Sequence, residues 1–393
     1  MTPRSASLGA IGLAAAAIAA LAACSSDKKS DPPASGSGGG GDPHKVTVTI
    51  TAADGCKTDR DTYSSGGLTF AITNKDATGV SEVELLSGER IVGEKENVPP
   101  GFSGTFAVSA DAGDYTLYCP GAKTARTPLK VTGTATSTAN TDTHALLVQG
   151  TKDYGQYVTR QVGYLVATVK PLATALQQGN LTAAQTAYAK ARPYYERIEP
   201  VAESFTTGKL QLDPAIDARE GDVPEAQWTG FHRIEKGLFQ AKSTGGLAPF
   251  GQGLLADVQK LQSLVKGLTY QPAELANGAV ELLDEVSKTK ITGEEERYSH
   301  IDLLDFQSNV EGSEQAFANL QPALTKIDPA LAQSVSTAFN NVDTLLDNYR
   351  SASQPSGFVQ YGALTAADIT AAAHAVQAVA EPLSRVASKV VNS

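Results

Sequence analysis

The feature that most constrains the fold of this 393-residue chain is a change of hydrophobic pattern near residues 133–143. Before this segment apolar and polar residues alternate with a period of two, which is the pattern of half-buried strands. After it alanine, leucine and glutamine dominate, and apolar residues recur at helical spacing. The sequence therefore predicts a multidomain protein, with an all-β part at 45–132, a linker at 133–143 and an all-α part at 144–393.

The all-β part is predicted to be a small β-sandwich. Clusters of turn residues, such as Gly66-Gly67 and Pro99-Pro-Gly101, separate short alternating segments. Several short strands at this spacing are typical of a sandwich. The predicted strands cover 45–50, 68–73, 81–85, 105–109 and 115–118.

The all-α part is predicted to be a bundle of about seven or eight helices. Asn180 is a suitable N-cap for a helix that continues to residue 205, in which Pro193 and Pro200 should introduce a kink or a break. The other predicted helices cover 157–176, 224–240, 254–268, 272–287, 294–320, 329–351 and 366–391.

The N-terminus is predicted to be an export signal of the lipoprotein type. Arg4 precedes an apolar stretch, and Leu21-Ala-Ala-Cys24 resembles a lipobox, in which Cys24 becomes the lipidated N-terminus after residues 1–23 are removed. Residues 24–44 are rich in proline, glycine and serine and form a flexible tether. We expect a protein anchored by lipid on the outer face of the cytoplasmic membrane or located in the periplasm. The alternative is plain secretion after cleavage near Ala23.

A candidate metal site begins at His232 and Glu235, which are three residues apart in a predicted helix. Side chains at this spacing lie on one helical face, so an imidazole nitrogen and a carboxylate can point at a common ion. Apolar Phe231, Ile234 and Leu238 around them indicate the interior of the bundle. The alternative is a structural histidine paired with a glutamate, since a lone HxxE pattern is common.

Carboxylates that could complete this site lie in nearby segments. Glu196 and Glu199 share a predicted helical face, Asp217 lies upstream of His232, and residues 294–296 form an acidic run predicted to open a helix. One imidazole with several carboxylates favours iron or manganese over zinc. The formal net charge of −10 argues against nucleic acid as a partner and is compatible with the attraction of cations. Each of these acidic clusters alone is more often a solvated helix face or a helix-cap arrangement than a set of metal ligands.

The β part contains a second candidate metal site. Cys56 and Cys119 lie near its two ends, and Tyr118-Cys-Pro120 after the penultimate strand resembles the thiolate position of a cupredoxin. Blue copper also needs histidines and an axial methionine, but no histidine lies between residues 45 and 143, and the only methionine is Met1.

The ligands of this second site would therefore be the cysteines with carboxylates. Residues two apart point to the same face of a strand, so each of two glutamate pairs could present its oxygens together. The acidic candidates are Glu82 and Glu84, followed by Glu94 and Glu96. The alternative for the cysteines is a disulfide, which is usual outside the cytoplasm and would leave a site of carboxylates only.

Several separated blocks resemble a known family. Gly230-Phe-His-Arg-Ile-Glu235 matches the GxHxxE signature of the imelysin-like proteins. Other blocks are similar to one branch of that family, EfeO, the extracytoplasmic component of the EfeUOB iron uptake system. These blocks are Tyr195-Glu-Arg-Ile-Glu-Pro200, Ile216-Asp-Ala-Arg219, Tyr298-Ser-His-Ile-Asp-Leu303, Asn309-Val-Glu-Gly312, Glu82-Val-Glu-Leu-Leu86, Glu94-Lys-Glu-Asn-Val98 and Pro100-Gly-Phe-Ser103.

The resemblance implies a cupredoxin-like sandwich followed by an imelysin-like helical bundle. It implies an iron-binding lipoprotein that captures iron and passes it to a membrane permease, with a haem-type peroxidase as a further partner. The metal ligands that it implies in the bundle are His232, Glu235, Asp217, Glu199 or Glu196, and Glu295 or its neighbour Glu296. In the sandwich it implies a second site, for copper or iron, with Cys56, Glu82 and Cys119 as candidates.

Two other functions compete with iron transport. Imelysins were named as peptidases, but a zinc protease of the HExxH or HxxEH type needs a second histidine, and position 236 is Lys236. His300 could supply an imidazole only from another helix. The second alternative is copper-assisted oxidation of ferrous iron by the N-terminal part, which the lack of histidine and methionine disfavours.

Overall fold

A computed structural model describes residues 42–134, 141–207, 210–391 and 393 of the chain. The predicted export signal, the lipidation site Cys24, most of the tether and residues 135–140 of the linker lie outside the described residues. None of the helices in the described ranges is long and apolar enough to cross a membrane.

The first part of the described chain consists of two β-sheets. The strands are β1 (Lys45–Thr51), β2 (Gly55–Thr58), β3 (Thr62–Ser64), β4 (Gly66–Asn74), β5 (Val83–Ser87), β6 (Arg90–Lys95), β7 (Ser103–Ala110), β8 (Gly113–Tyr118) and β9 (Arg126–Thr132). One sheet has the order β2-β1-β4-β7 and the other β3-β9-β8-β5-β6. Neighbouring strands are antiparallel except for β1 with β4 and β3 with β9.

The inward residues of both sheets form one apolar core, in which Phe70 of β4 stacks on Phe106 of β7 with ring centroids 4.5 Å apart. The five predicted strands correspond to β1, β4, β5, β7 and β8. The sequence missed β2, β3, β6 and β9. Strands β2 and β3 have only four and three residues, which is too short for alternation to be recognised, and pairing with longer neighbours defines them.

The second part is helical, as predicted. Its helices are α1 (Thr141–Gln177), α2 (Leu181–Glu196), α3 (Asp213–Asp217), α4 (Gly230–Glu235), α5 (Ala248–Leu264), α6 (Pro272–Lys288), α7 (Asp302–Ile327), α8 (Pro329–Asp347), α9 (Ala366–Leu383) and α10 (Val386–Val390). A short hairpin lies between α2 and α3, and its strands, β10 (Thr206–Thr207) and β11 (Leu210–Gln211), have two residues each. The described ranges thus hold ten α-helices rather than seven or eight, because α3, α4 and α10 are short.

Several predicted helix boundaries were wrong. Helix α1 begins at Thr141 rather than near residue 157, and residues 294–301 form turns, so that α7 begins only at Asp302. Asn180 is the N-cap of α2, as predicted, but α2 ends at Glu196, and the next residues form a 3-10 turn that contains Pro200. Proline removes a backbone donor, which explains why regular helix does not continue to residue 205.

The predicted helix 224–240 is interrupted at Gly230, where α4 begins with a φ of 77°. A Cβ at this position would lie 2.1 Å from the carbonyl oxygen of Ile216. Only glycine accommodates both the left-handed backbone and this close approach. The first residue of the GxHxxE motif is therefore needed to pack α4 against α3.

Polar side chains of β6 in the second sheet contact helix α6. Arg90 Nη2 lies 2.5 Å from Glu274 Oε1, and Lys95 Nζ lies 2.7 and 2.8 Å from the two carboxylate oxygens of Glu281. Asn277 of the same helix donates to the carbonyl oxygen of Ala107 in β7. These contacts bring the acidic residues of β6 close to the acidic interior of the helical part.

Candidate metal centre

The candidate metal centre lies in the interior of the helical part, and short elements supply most of its acids. The contributing residues are Arg192 and Glu196 on α2, Asp217 at the end of α3, His232 and Glu235 on α4, Glu295 and Glu296 in the turns before α7, and Asp305 on α7. The side chain of His232 is 2% exposed and that of Arg192 is 0% exposed. Such burial of charged groups is unusual unless they are paired or bind a cation.

His232 directs one ring nitrogen at two carboxylates. Its Nε2 lies 3.5 Å from Asp217 Oδ1 and 3.4 Å from Glu295 Oε1. Nε2 has no hydrogen-bond partner of normal geometry among the described residues. The nitrogen and the two oxygens all lie within 4.8 Å of one another. This donor set is compatible with a small hard cation placed between the three atoms.

Glu235 lies on the other side of the imidazole. Its Oε2 is 3.4 Å from Nδ1 of His232, while its Oε1 accepts backbone hydrogen bonds from Tyr298 and Ser299 at 2.7 and 2.8 Å. The sequence predicted that both side chains point at a common ion, but the structure places Glu235 opposite the nitrogen that faces Asp217 and Glu295. The i, i+3 spacing brings the two residues together without making their donor atoms converge.

A second group of carboxylates adjoins the first. Oxygens of Glu196, Glu295 and Asp305 also lie within 4.8 Å of one another. The two groups share Glu295, so they form one continuous acidic centre. Asp305 was missed in the sequence, because an aspartate four residues into an apolar segment is indistinguishable from a polar residue on a helix surface.

Two of the predicted ligands are engaged elsewhere. Glu199 contacts Lys290 Nζ at 2.6 Å and Asn309 Nδ2 at 2.6 Å, and its side chain is 15% exposed. Glu296 accepts a hydrogen bond from the hydroxyl of Tyr188 at 2.7 Å and another from Ser299. Neither carboxylate is part of the groups around His232.

Two buried cations hold the acids together. The guanidinium of Arg192 contacts the carboxylates of Glu196, Asp217, Glu295, Glu296 and Asp305. Lys290 contacts Glu196, Glu199 and Glu295. The sequence signal for Arg192 was only its position four residues before Glu196, a spacing that also occurs on exposed helix faces.

Burial and neighbouring charges shift the pKa values in this centre. Burial raises the pKa of Asp217 to about 7, although Arg192 and His232 oppose the shift. The burial of His232 and the positive charge of Arg192 both act to lower the pKa of its imidazole. The carboxylates of Asp217, Glu235 and Glu295 have the larger effect and raise this pKa to about 10. Burial also acts against the charge of Glu295, but Lys290 and His232 outweigh it and hold the pKa of Glu295 well below its usual range. The low pKa favours the charged form of Glu295, whose oxygens can then bind a cation.

The acidic residues of the second sheet form a separate cluster. Glu84 on β5 pairs with Glu94 on β6, and a cavity of about 200 Å³ is lined by Glu82, Glu84, Glu94 and Glu96 together with Glu203 of the helical part. Burial, with repulsion between neighbouring acids, raises the pKa of Glu84 and of Glu96 to about 7. The sequence predicted these four glutamates as a group, but not the contribution of Glu203.

The sheet cluster adjoins the buried centre through a cavity of about 290 Å³. Glu94 and Glu96 line this cavity from the sheet, and Glu199, Asp217 and Glu295 line it from the helical part. Acidic oxygens therefore extend from the face of the sheet to the carboxylates beside His232.

The two cysteines of the sheets are joined to each other. Cys56 and Cys119, which follows the penultimate strand as predicted, form a disulfide. Neither sulfur offers a thiolate, so the two cysteines are not available as metal ligands in this state. Of the two alternatives left open by the sequence, the structure has the disulfide, and the second site is reduced to carboxylates.

Known proteins resemble this chain in family, in sequence and in fold. The family model described as Imelysin, which carries a peptidase-family label, matches residues 150–386. The chain is 38% identical over 349 residues to the iron uptake system component EfeO of Escherichia coli, covering 88% of this chain and 91% of the relative, and EfeO of Shigella flexneri gives the same values. A crystal structure of an iron-regulated protein A precursor from Parabacteroides distasonis covers 65% of this chain and 97% of its own, with a TM-score of 0.50 and 17% identity, and therefore shares its fold.

Proposed function

Because this chain belongs to the imelysin family, and within it to the EfeO group, we propose that it is an iron-binding protein that captures iron outside the cytoplasm and delivers it to a membrane permease. The relatives are named as components of an iron uptake system. The helical part is the proposed site of capture.

One observation carries this proposal. Among the described residues, a buried imidazole nitrogen that makes no hydrogen bond of normal geometry faces Asp217 and Glu295, in a centre where carboxylates outnumber cations. We take His232, Asp217 and Glu295 as the ligands, with Glu196 and Asp305 adjacent. Carboxylate oxygens with one imidazole suit iron or manganese, whereas structural zinc sites favour thiolates and imidazoles.

The acidic cluster of the sheet is the proposed place of entry. Glu82, Glu84, Glu94 and Glu96 would attract a hard cation, and the acid-lined cavity gives a route to Asp217 and Glu295. The strand arrangement around Cys119 supports a cupredoxin-like sandwich. We propose no copper there, because the disulfide leaves no thiolate and the described strands carry neither histidine nor methionine. Copper-assisted oxidation of ferrous iron loses its basis for the same reason.

The position outside the cell is proposed from the N-terminus and the family. Cleavage before Cys24 and lipidation of its thiol would anchor the protein to the outer face of the cytoplasmic membrane, and residues 24–44 would act as a tether. The permease and a haem-type peroxidase of the same uptake system are the proposed partners. The acidic surface is compatible with cation collection in this position.

Peptidase activity is the alternative suggested by the family label, but the geometry does not favour it. Lys236, at the position of a second histidine, pairs with Glu220. His300 is exposed, and its backbone N–H donates to the carbonyl oxygen of Glu296. The described part of the centre therefore supplies one imidazole, whereas HExxH-type proteases use two.

Titration calorimetry with Fe²⁺ under nitrogen, and with Mn²⁺ as a redox-stable analogue, tests the proposal. We expect His232→Ala and Asp217→Asn to weaken binding by more than about hundredfold, which exceeds the loss expected for a supporting contact. His374→Ala is the matched control, since it removes an exposed imidazole from α9. Unchanged affinity in both site variants would refute the proposed site, and peptide cleavage that requires His232 would support the peptidase.

A further inference from the structure

The guanidinium of Arg192 already occupies the oxygens that face His232. Its Nη1 donates to Asp217 Oδ1, and its Nη2 lies 3.1 Å from Glu295 Oε1. These are the same two oxygens that lie 3.5 and 3.4 Å from Nε2 of His232. Any ion bound between the imidazole and these carboxylates must therefore compete with the arginine for them.

Arg192 has a second set of partners besides Asp217 and Glu295. Its Nη2 lies 2.8 Å from Asp305 Oδ2 and 2.5 Å from Glu196 Oε1, and its Nε lies 3.0 Å from Glu296 Oε1. The guanidinium would keep its hydrogen bonds to Asp305 and its ion pairs with Glu196 and Glu296 after releasing Asp217 and Glu295.

The competition cannot be relieved by proton loss. Arginine stays charged in proteins, and the side chain of Arg192 is fully buried, so solvent does not screen its charge. A dication beside Asp217 and Glu295 would be repelled by a guanidinium that remained in hydrogen-bond contact with the same oxygens. Movement of the side chain is the remaining way to reduce the repulsion.

We propose that Arg192 is an internal counter-cation that a bound metal ion displaces. In the empty protein the guanidinium neutralises Asp217 and Glu295 and holds the elements that carry them together. On loading, the ion takes those oxygens, and Arg192 retreats to Glu196, Glu296 and Asp305. This inference rests on the proposed function, because it requires a cation at His232.

The exchange has a consequence for delivery. Because part of the ion's attraction is used to displace Arg192, the affinity is lower than the carboxylates alone would give. The returning guanidinium also replaces the ion when it leaves, so the empty centre does not collapse or unfold. Both effects suit a protein that must release its cargo.

Two variants, each of which removes one positive charge, distinguish competition for the carboxylate oxygens from a general electrostatic effect. Arg192→Gln deletes the proposed competitor. Arg219→Gln deletes a partly exposed cation that contacts Glu295 through Oε2, the oxygen that does not face His232, and also contacts Glu285 and Asp222. The affinity for Mn²⁺ is measured by calorimetry, and thermal unfolding is measured with chelator and with Mn²⁺.

For Arg192→Gln we expect a lower melting temperature in chelator, an Mn²⁺ affinity raised more than about tenfold, and a larger stabilisation by Mn²⁺ than in the parent. Arg219→Gln should change the affinity by less than about threefold, because water reaches its guanidinium and screens its charge. An equal gain in both variants, or no gain in Arg192→Gln, overturns the exchange and leaves the metal site itself intact.

A structure of the parent with Mn²⁺ gives a test that does not depend on how the variants fold. The ion should lie at His232, and Arg192 Nη1 should be beyond hydrogen-bond distance of Asp217 Oδ1. An ion at His232 with that hydrogen bond retained overturns the exchange only. Failure of the parent to bind either Mn²⁺ or Fe²⁺ overturns the proposed function and the exchange together.

Discussion

Glu235 provides the sharpest prediction, because its two oxygens have different roles. Oε1 accepts the backbone N–H groups of Tyr298 and Ser299 at 2.7 and 2.8 Å, while Oε2 faces His232 Nδ1 at 3.4 Å. A carboxylate in this position holds the turns that carry Glu295. It also keeps a proton on Nδ1, so that Nε2 is the nitrogen that loses its proton when an ion binds. We therefore expect Glu235 to position ligands and not to bind the ion.

The magnitudes follow from these contacts. Hydrogen bonds to a charged group contribute about 1.5–3 kcal/mol each, so Glu235→Ala should lower the free energy of unfolding by about 3–6 kcal/mol. Glu235→Gln keeps an acceptor for the two N–H groups and should cost about 1–3 kcal/mol. Its amide can also donate to Nδ1, which would favour the tautomer with a proton on Nε2. The expected loss in metal affinity is about 10–100-fold, as for other residues that support a ligand.

Urea unfolding in chelator measures the stability, and calorimetry with Mn²⁺ measures the affinity. Asp217→Asn is the matched comparison, since it makes the same change from carboxylate to amide in a proposed ligand. If Glu235→Gln abolishes binding as completely as Asp217→Asn while leaving stability unchanged, Glu235 is a direct ligand and the reasoning from its hydrogen bonds is refuted.

Three further predictions concern the sheets. Replacing Cys56 and Cys119 by serine should lower the free energy of unfolding by about 4 kcal/mol, since the disulfide closes a separation of 63 residues; an unchanged urea midpoint would contradict this. Lys95→Ala should lower the free energy of unfolding in urea by about 1–3 kcal/mol, because it leaves Glu281 unpaired. The control Lys57→Ala removes an exposed ion pair with Asp54 and should change this free energy by less than about 1 kcal/mol. Burial raises the pKa of Glu84 and Glu96 from 4.5 to about 7, so the folded chain binds more protons and the free energy of unfolding should fall as pH rises through this range. In chelator, the double variant Glu84→Gln/Glu96→Gln should lose less unfolding free energy than the parent between these pH values. Parallel plots of unfolding free energy against pH for the two proteins would contradict the raised pKa values.

The fold class followed from the sequence because each part has one dominant period. Segments such as 45–50 and 272–287 are long and regular enough for the pattern to determine the element, and β1 and α6 match them. The acidic run 294–296 misled the prediction, because acidic residues are also typical of a first helical turn. In the structure Glu295 and Glu296 instead lie in turns, where Glu295 reaches His232 and Lys290.

The sequence identified the residues of the candidate site better than it predicted their arrangement. Asp217, His232 and Glu295 were all among the candidates, and they meet in the structure. The positions of Glu235 and Arg192 depend on how α2, α4 and the turns before α7 pack, which no local pattern encodes. Buried arginine is rare, so composition and spacing alone favour an exposed position for Arg192.

The balance of charge in the buried centre gives a physical reason for cation binding beyond the likeness to relatives. Glu196, Asp217, Glu235, Glu295, Glu296 and Asp305 are six buried or nearly buried carboxylates, against the cations Arg192 and Lys290 and the imidazole of His232. Burial raises the pKa of Glu196 and Asp305 to about 7 even with Arg192 in contact, so the resident cations do not fully offset these acids. A purely structural network would gain stability from fewer acids, since unpaired buried charge is costly. The surplus has a role if the centre receives additional positive charge from outside. Nε2 of His232, which faces Asp217 and Glu295, marks where that charge would bind once this nitrogen has lost its proton.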